Sequence, residues 1–374
     1  MAGRDYDLFQ QIYCLSFASN LVSSTEGTEA NLQAALEEIL EDILPRLIGT
    51  WSISWGPRVF KEKPDEPKGG PDNVWFAAIN DIDKVCAVSI AGTAKNSDAD
   101  ITQDLNVTEV VDFDVWVESW SSQGIPKPEK ANSDQLDPSK SYCAKGICDG
   151  TWNVLNNPST AVNSGLRIDE YLQQLDPDYT VVFTGHSLGG ALAPTSALGL
   201  AGSKIGSRNT VKVLPSAGAS PGNDVFAKKY SEVFPKDPQV SSEDYKVYNT
   251  DFYNIYDIVP QAWSINPDHK RNLDNILTKI LHCSDDFQPF AEDVVCDAKD
   301  KSRDSFIPYT PLPGQNFVGR PPPKDPIESV SDVKAHSSQH HVTAYLEELG
   351  ITRSFQIFKD KFSKRIGAPT GPGN

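Results

Sequence analysis

Between residues 179 and 200 the chain reads YTVVFTGHSLGGALAPTSALGL, and this stretch constrains the fold more than any other. Residues 180–184 are β-branched and aromatic, the make-up of a buried strand, and from Leu188 onward a run of Ala, Leu and Ser predicts a well-packed helix. Ser187 stands between the two, with Gly185 two residues before it and Gly189 two residues after it. A serine in that setting is a nucleophile elbow. The turn is so tight that the serine must take a strained backbone conformation, and side chains at either glycine would collide with the strand and the helix. The strain lifts the hydroxyl clear of the sheet, and the helix start sets the Leu188 N–H beside it, where it can stabilise an oxyanion. A chain with this feature builds an α/β sheet around it.

The remaining pattern fits one domain with insertions, since 374 residues are ample for a single core. Residues 1–73 are expected to supply packing helices: residues 6–22 carry apolar positions at helical spacing. Leu32, Leu36, Ile39, Leu40, Ile43, Leu44 and Leu47 form an i, i+3, i+4, i+7 stripe with glutamates opposite. Residues 51–55 alternate as a strand does, 57–72 read as an exposed loop, and 74–79 and 85–90 as neighbouring strands. The second of these is nearly all apolar, as a central strand should be, and ends in SIAGT. Beside an elbow, this Gly-Thr turn is the natural place for the second oxyanion donor, Thr93, through its N–H and its hydroxyl. Residues 94–142 are expected to form a lid region and an insertion, with 106–141 departing from regular structure. The sequon at Asn106 assigns nothing by itself. A helical stretch from 150 through 175 leads into the elbow strand, as a right-handed crossover requires.

Beyond the elbow, residues 210–215 predict a strand, then a glycine turn and a helix, and 247–256 the next strand. Asp257 follows it, at the position a triad acid takes in the order Ser, acid, His, with Asp251 inside the strand as the fallback. Residues 264–338 read as a cap element and then a proline-rich crossing loop, 353–365 as a last amphipathic helix, and 366–374 as a frayed tail.

A net charge of −17 and a pI near 4.8 weigh against nucleic acid and anionic membranes as partners. No segment approaches the roughly twenty apolar residues of a membrane span. The N-terminus is acidic and interrupted by polar residues, unlike a secretory signal, which leaves a soluble cytoplasmic protein or a secreted one whose leader was removed. The six cysteines show no metal-type spacing, and no metal or cofactor is expected. Cys86 reads as a buried thiol; Cys143 with Cys148, and Cys283 with Cys296, are expected in loops, close enough to pair in an oxidising compartment.

A serine hydroxyl needs a base within hydrogen-bond reach, and the base an acid to fix its tautomer. Of the six histidines, His186 is adjacent to Ser187 and points away, while His269, His282 and His336 fall in polar insertions. His340 and His341 follow Asp257 and precede a helix, so one of them is the expected base.

These residues together resemble the class 3 lipases, the fungal-lipase-like branch of the α/β-hydrolases. The resemblance runs from about residue 74 to 350 and rests on SIAGT, GICDGTWNVL, VVFTGHSLGGALA, ASPGNDVFA, YNIYDIVPQAW and QHHVTAY, in the family's order. It implies an α/β-hydrolase fold, Ser187 as nucleophile, Asp257 as acid, Thr93 and Leu188 as oxyanion donors, and a flexible lid just after Thr93. Many members have Arg where this chain has Ala91. The family's histidine stands a few residues before an aromatic, and both His340 and His341 fit ahead of Tyr345; a four-residue helical turn favours His341. The substrate implied is a small ester or lipid, with at most transient contact at a lipid interface. The same triad also serves thioester hydrolysis, phospholipid hydrolysis and acyl transfer, and an inactive binding protein is the alternative from another class. Residues 94–107 offer only Ile101, Leu105 and Val107 as sizeable apolar groups, which predicts an esterase for short or medium acyl chains with little interfacial activation.

Overall fold

Alternation along two strands divides the molecule into two cores. On Val85–Ile90, Cys86, Val88 and Ile90 enter one apolar cluster while Val85 and Ala87 enter the other; on Thr180–His186, Val181 and Phe183 face the first and Val182 the second. This is the period of a pleat, and strands apolar on both faces belong in the middle of a covered sheet. The computed structural model describes residues 6–23, 25–92, 106–238, 245–322 and 325–366, and both strands lie at the centre. The main sheet is built of β1 (Trp51–Phe60), β2 (Asn73–Asn80), β3 (Val85–Ile90), β4 (Thr180–His186), β5 (Thr210–Ser216), β6 (Asp251–Asn254) and β7 (Gly314–Phe317), in that spatial order. β1, β2 and β3 pair antiparallel, and every pairing from β3 to β7 is parallel.

One face is covered by α1 (Leu8–Ser19) and α2 (Glu29–Leu47), the other by α3 (Lys145–Asn156), α4 (Ile168–Gln174) and α5 (Leu188–Gly202). A capping box starts α1: Gln10 N donates to Asp7 Oδ1 and Asp7 N to Gln10 Oε1, both at 3.0 Å. α5 is apolar nearly all round because it is buried nearly all round, and at Gly199 a Cβ would strike the Trp120 ring. α6 (Asp224–Val233) and α7 (Gln288–Asp304) follow. Toward the C-terminus, Val330–Ser337, Ser338–Thr343 and Ala344–Glu348 run on from one another, the middle piece wound as a π-helix, and Thr352–Ile366 is the last helix among the described residues.

Several stretches fold differently from their local pattern. Residues 106–141 are irregular for most of their length, but they also hold a strand, Val110–Asp112, and a short helix, Phe113–Glu118, whose Phe113, Trp116 and Val117 are core. That strand joins Tyr142–Ala144, Gly222–Asn223 and Tyr309–Thr310 in a second sheet. Cys143 and Cys148 therefore sit buried in a strand and in α3 rather than in loops, and all six cysteines are free. The helix expected over 150–175 is two, because Asn157 precedes Pro158 and ends α3. The strand expected over 247–256 is broken at Asn249, whose φ is 66°. Residues 57–60 continue β1 past a bulge at Gly56 instead of opening a loop. The segment 264–338 is more than cap and crossing loop. It contributes edge strand β7 and helix α7, while Leu273, Ile280 and Leu281 are core.

β6, which leads into the site, is pinned by a buried ion pair. The Arg271 guanidinium donates to Asp251 Oδ2 and to the Leu312 carbonyl and lies 4.5 Å over the Tyr253 ring; Asp251 also accepts from Gly218 N at 3.0 Å. Burial pushes the Asp251 carboxyl up to about 6, with Arg271 opposing the rise. Asp251 is thus committed to Arg271, not to a histidine. Arg271→Met leaves a buried carboxylate unpaired and should destabilise the protein by about 3–5 kcal/mol in urea titration; a loss below about 1 kcal/mol would show that the pair does not hold β6.

Candidate active site

At the end of β4 the backbone of Ser187 takes φ 64°, ψ −126°, a conformation that strains any residue with a Cβ. It is held there by Ser187 N donating to Ser216 O at 3.0 Å and by Gly190 N donating to Ser187 O at 2.8 Å. The glycines make the turn possible. A Cβ on Gly185 would run into the Gly189 carbonyl and come 2.7 Å from Ile90 O; one on Gly189 would strike Ile90 O itself. Leu188 opens α5, so its N–H belongs to the first turn, where amides have no intrahelical acceptor. Ser187 is half-buried.

Immediately after the two-residue turn that ends β6, Asp257 is buried and accepts three hydrogen bonds. Val259 N reaches Oδ1 at 3.0 Å, while His341 Nδ1 and Tyr345 OH both reach Oδ2 at 2.8 Å. Three donors compensate the burial of one carboxylate. With Nδ1–H given to Asp257, His341 presents its other nitrogen as an acceptor, the tautomer a general base requires. Tyr345 is itself fixed, since Asn254 N donates to its hydroxyl at 2.9 Å.

His186 joins the serine to the histidine. Its Nε2–H donates to the carbonyl of His341 at 2.7 Å, its Nδ1 accepts from Ser216 Oγ at 3.0 Å, and the two imidazole rings are 4.7 Å apart. Burial, and then the neighbouring His341, keep His186 well below the usual histidine range, so it is neutral. His340 faces the other way: Asn254 Nδ2 donates to its carbonyl at 3.0 Å, and its ring lies 4.2 Å from that of His336 and 5.7 Å from that of Tyr256. Of the adjacent pair, the structure brings His341 to Asp257. His336, expected in a polar insertion, is buried, with Nε2–H donating to Tyr256 O at 3.0 Å.

Thr93 and the 94–105 part of the expected lid lie outside the described residues; Gly92, just before them, is described. Gly92 N donates to Asn20 Oδ1 at 2.8 Å, and a Cβ on Gly92 would come 2.9 Å from His186 O and 3.0 Å from Ser187 Cβ. β3 therefore delivers the chain against the elbow. Sequence reasoning missed Asn20 and Ser216 as partners of the site and used Tyr345 only as a spacing marker. The first two carry no local signal, whereas the aromatic one turn beyond His341 did mark Tyr345. Among the described residues no group of three or more His, Cys, Asp or Glu is placed to hold a metal, and no helix is long and apolar enough to cross a membrane.

Comparison with known proteins bears on the fold and on the family resemblance. Residues 121–266 match the family model of lipase (class 3), a span that includes Ser187 and Asp257. Lipase M37 aligns over 97% of this chain and 99% of its own, at 18% identity and a TM-score of 0.70. Its fold and this one are the α/β-hydrolase fold, with the mixed seven-stranded sheet flanked by helices. The LIP2 lipase of Yarrowia lipolytica (20% identity, TM-score 0.40) covers 68% of this chain and 73% of its own, and lipase II from Rhizopus niveus (16%, 0.41) covers 68% and 74%. No curated protein matches the sequence. The class of enzyme that the family match defines is the carboxylic ester hydrolase, and the class 3 lipase resemblance stands over residues 121–266.

The neutral histidines give the fold a pH dependence. Burial, and then His336, push His340 down to about 4, and burial lowers His336 as well. An unfolded chain takes up these protons near pH 6.5 and the folded one only at lower pH, for His340 near 4, so their stabilisation is full above 6.5 and is lost as pH falls below it. Asp251 works in the opposite sense, its raised carboxyl favouring the fold as pH falls. The difference between wild type and His340→Gln isolates the histidine: the thermal midpoint of the variant should fall less steeply from pH 7 to 4. Parallel curves would remove His340 from the account.

Proposed function

We propose that the chain hydrolyses carboxylic esters through an acyl-enzyme on Ser187. The Ser187 hydroxyl attacks the ester carbonyl carbon while its proton passes to His341. Asp257 holds the imidazole in the required tautomer and offsets the charge it gains. The tetrahedral oxyanion lies against the Leu188 N–H, with Thr93 as the second donor. His341 returns the proton to the departing alcohol; water then enters by the same route and releases the acid. The observation that carries this reading is the 2.8 Å bond from His341 to the buried Asp257, made by a histidine that His186 ties to the elbow. Support also comes from the class 3 lipase match across the elbow. The whole chain is read as one domain, with residues 94–142 and 264–338 as elaborations near the site.

His341→Ala should lower kcat by about a thousandfold or more and His340→Ala by much less, because only the first bonds Asp257. The reverse ranking would move the base by one residue. Ser187→Ala should abolish both turnover and labelling by a fluorophosphonate; equal labelling of this variant would remove the reading.

The substrate proposed is an ester with a short or medium acyl chain, acting from a small molecule or a lipid. The segment best suited to a membrane-facing stripe is instead internal: Leu273, Ile280 and Leu281 are buried, and Ile276 and Leu277 pack on the first core. On α7 the exposed Phe290 and Val294 have Glu292, Asp293 and Asp297 beside them, a poor surface for an anionic bilayer. A series of p-nitrophenyl esters should peak at short or medium chains and show no jump in rate at the solubility limit. A sharp rise when substrate forms an interface, or a preference for long chains, would make it an interfacially activated lipase.

A further inference from the structure

We propose that Asn20, at the C-terminal end of α1, is a positioning residue for the oxyanion side of the site; this rests on the ester-hydrolase reading above. The ladder of β3 ends at Ile90, which pairs with Trp75 and Gly185, and Ala91 N still reaches Val74 O at 2.8 Å. At Gly92 a side chain takes over from the sheet: the amide donates to Asn20 Oδ1 at 2.8 Å. Asn20 is fixed from its other side. Its Nδ2 donates to Ser16 O at 3.0 Å, one turn back in α1, and its carbonyl accepts from the Ser23 hydroxyl at 2.6 Å and the Ser23 amide at 3.2 Å. Both ends of the side-chain amide are used, so it has one orientation.

Gly92 is packed between this amide and the nucleophile. A Cβ there would lie 3.2 Å from Asn20 Oδ1, 3.0 Å from Ser187 Cβ and 2.9 Å from His186 O. Any slack in the Asn20 bond is therefore slack between this backbone and Ser187. α1 is a firm support through its packing, with nine of its twelve residues buried and the Phe17 ring 4.6 Å from that of His186; the bond from Ser89 Oγ to Leu15 O, at 2.9 Å, is one contact among many. Oxyanion donors act only within a few tenths of an ångström of about 2.7–3.1 Å from the developing charge, and a misplacement of about 1 Å can cost a hundredfold in rate. Gly92 immediately precedes Thr93, the second donor of the proposed mechanism, in the sequence. Asn20 touches no reacting atom; it acts through Gly92.

Asn20→Leu keeps the branched shape of the side chain and removes both of its hydrogen bonds. Its kcat for a soluble p-nitrophenyl ester should fall about 10- to 100-fold with KM within about twofold, and fluorophosphonate labelling should slow by the same factor. The pH profile of kcat should not move, because His341 is untouched. Ser89→Ala loosens the same helix on the same strand without reaching Gly92, and should leave kcat within about twofold. The proposal is overturned if Asn20→Leu retains kcat, if Ser89→Ala loses as much, or if the loss falls on KM alone. Asn20→Ala replaces the leucine variant if that does not fold, and failure of both to fold would make Asn20 purely structural. A wild-type enzyme that takes no label would instead overturn the ester-hydrolase reading itself.

Discussion

At Gly189 the first turn of α5 rests on the carbonyl of Ile90, with no room for a side chain between helix and strand, and the rest of the site inherits its position from that contact. Because helix and strand touch backbone to backbone, the turn joining them has a single conformation, and Ser187 is forced into positive φ at its apex. The strain is held by packing on both sheet faces together with the two backbone hydrogen bonds of Ser187. β4 is apolar toward both cores, and α5 is buried along nearly its whole length. The same contact brings β3 beside the elbow, so that Gly92 and Ser187 are neighbours in space although far apart in sequence.

Asp257 and His341 hold one another through their shared hydrogen bond, and each has further anchors of its own. Asp257 follows β6, which is anchored by Arg271, and the three donors on its carboxylate leave little freedom for rotation. His341 sits where the C-terminal helix is wound as a π-helix, a variant frequently found at functional sites. Its carbonyl is held by His186, the residue next to Ser187. Buried histidines on either side stay neutral: His186 toward the elbow, His340 and His336 behind Tyr256. They shape the site without competing for its proton.

How far this was legible in the sequence follows from the range of the contacts concerned. The elbow, α1, α2, β3 and the strand before the elbow declared themselves because each is specified by its own neighbours, through glycine spacing or a periodic apolar stripe. Asp257 and the histidine pair were reachable by chain order. Choosing between His340 and His341 on residues alone leaned on one turn of spacing, whereas the hydrogen bond to Asp257 separates them directly. β7 was invisible since GQNF is polar and mostly exposed, and it is a strand only because β6 offers it an edge. α7 was missed for a related reason: its buried face is made of Ala291, Val295, Ala298 and Ser302, small groups scattered among charges. Asn20 gave no local signal at all, since its partner is brought to it by the fold.

The central claim is that Ser187, His341 and Asp257 act as one unit, and a crystal structure of the enzyme inactivated by an alkyl phosphonate tests it most directly. The account predicts phosphorus bonded to Ser187 Oγ, the phosphoryl oxygen within about 3 Å of the Leu188 amide, and His341 still bonded to Asp257 with its free nitrogen facing the adduct. An adduct on another residue, or one on Ser187 approached by His340 with His341 turned away, would contradict it.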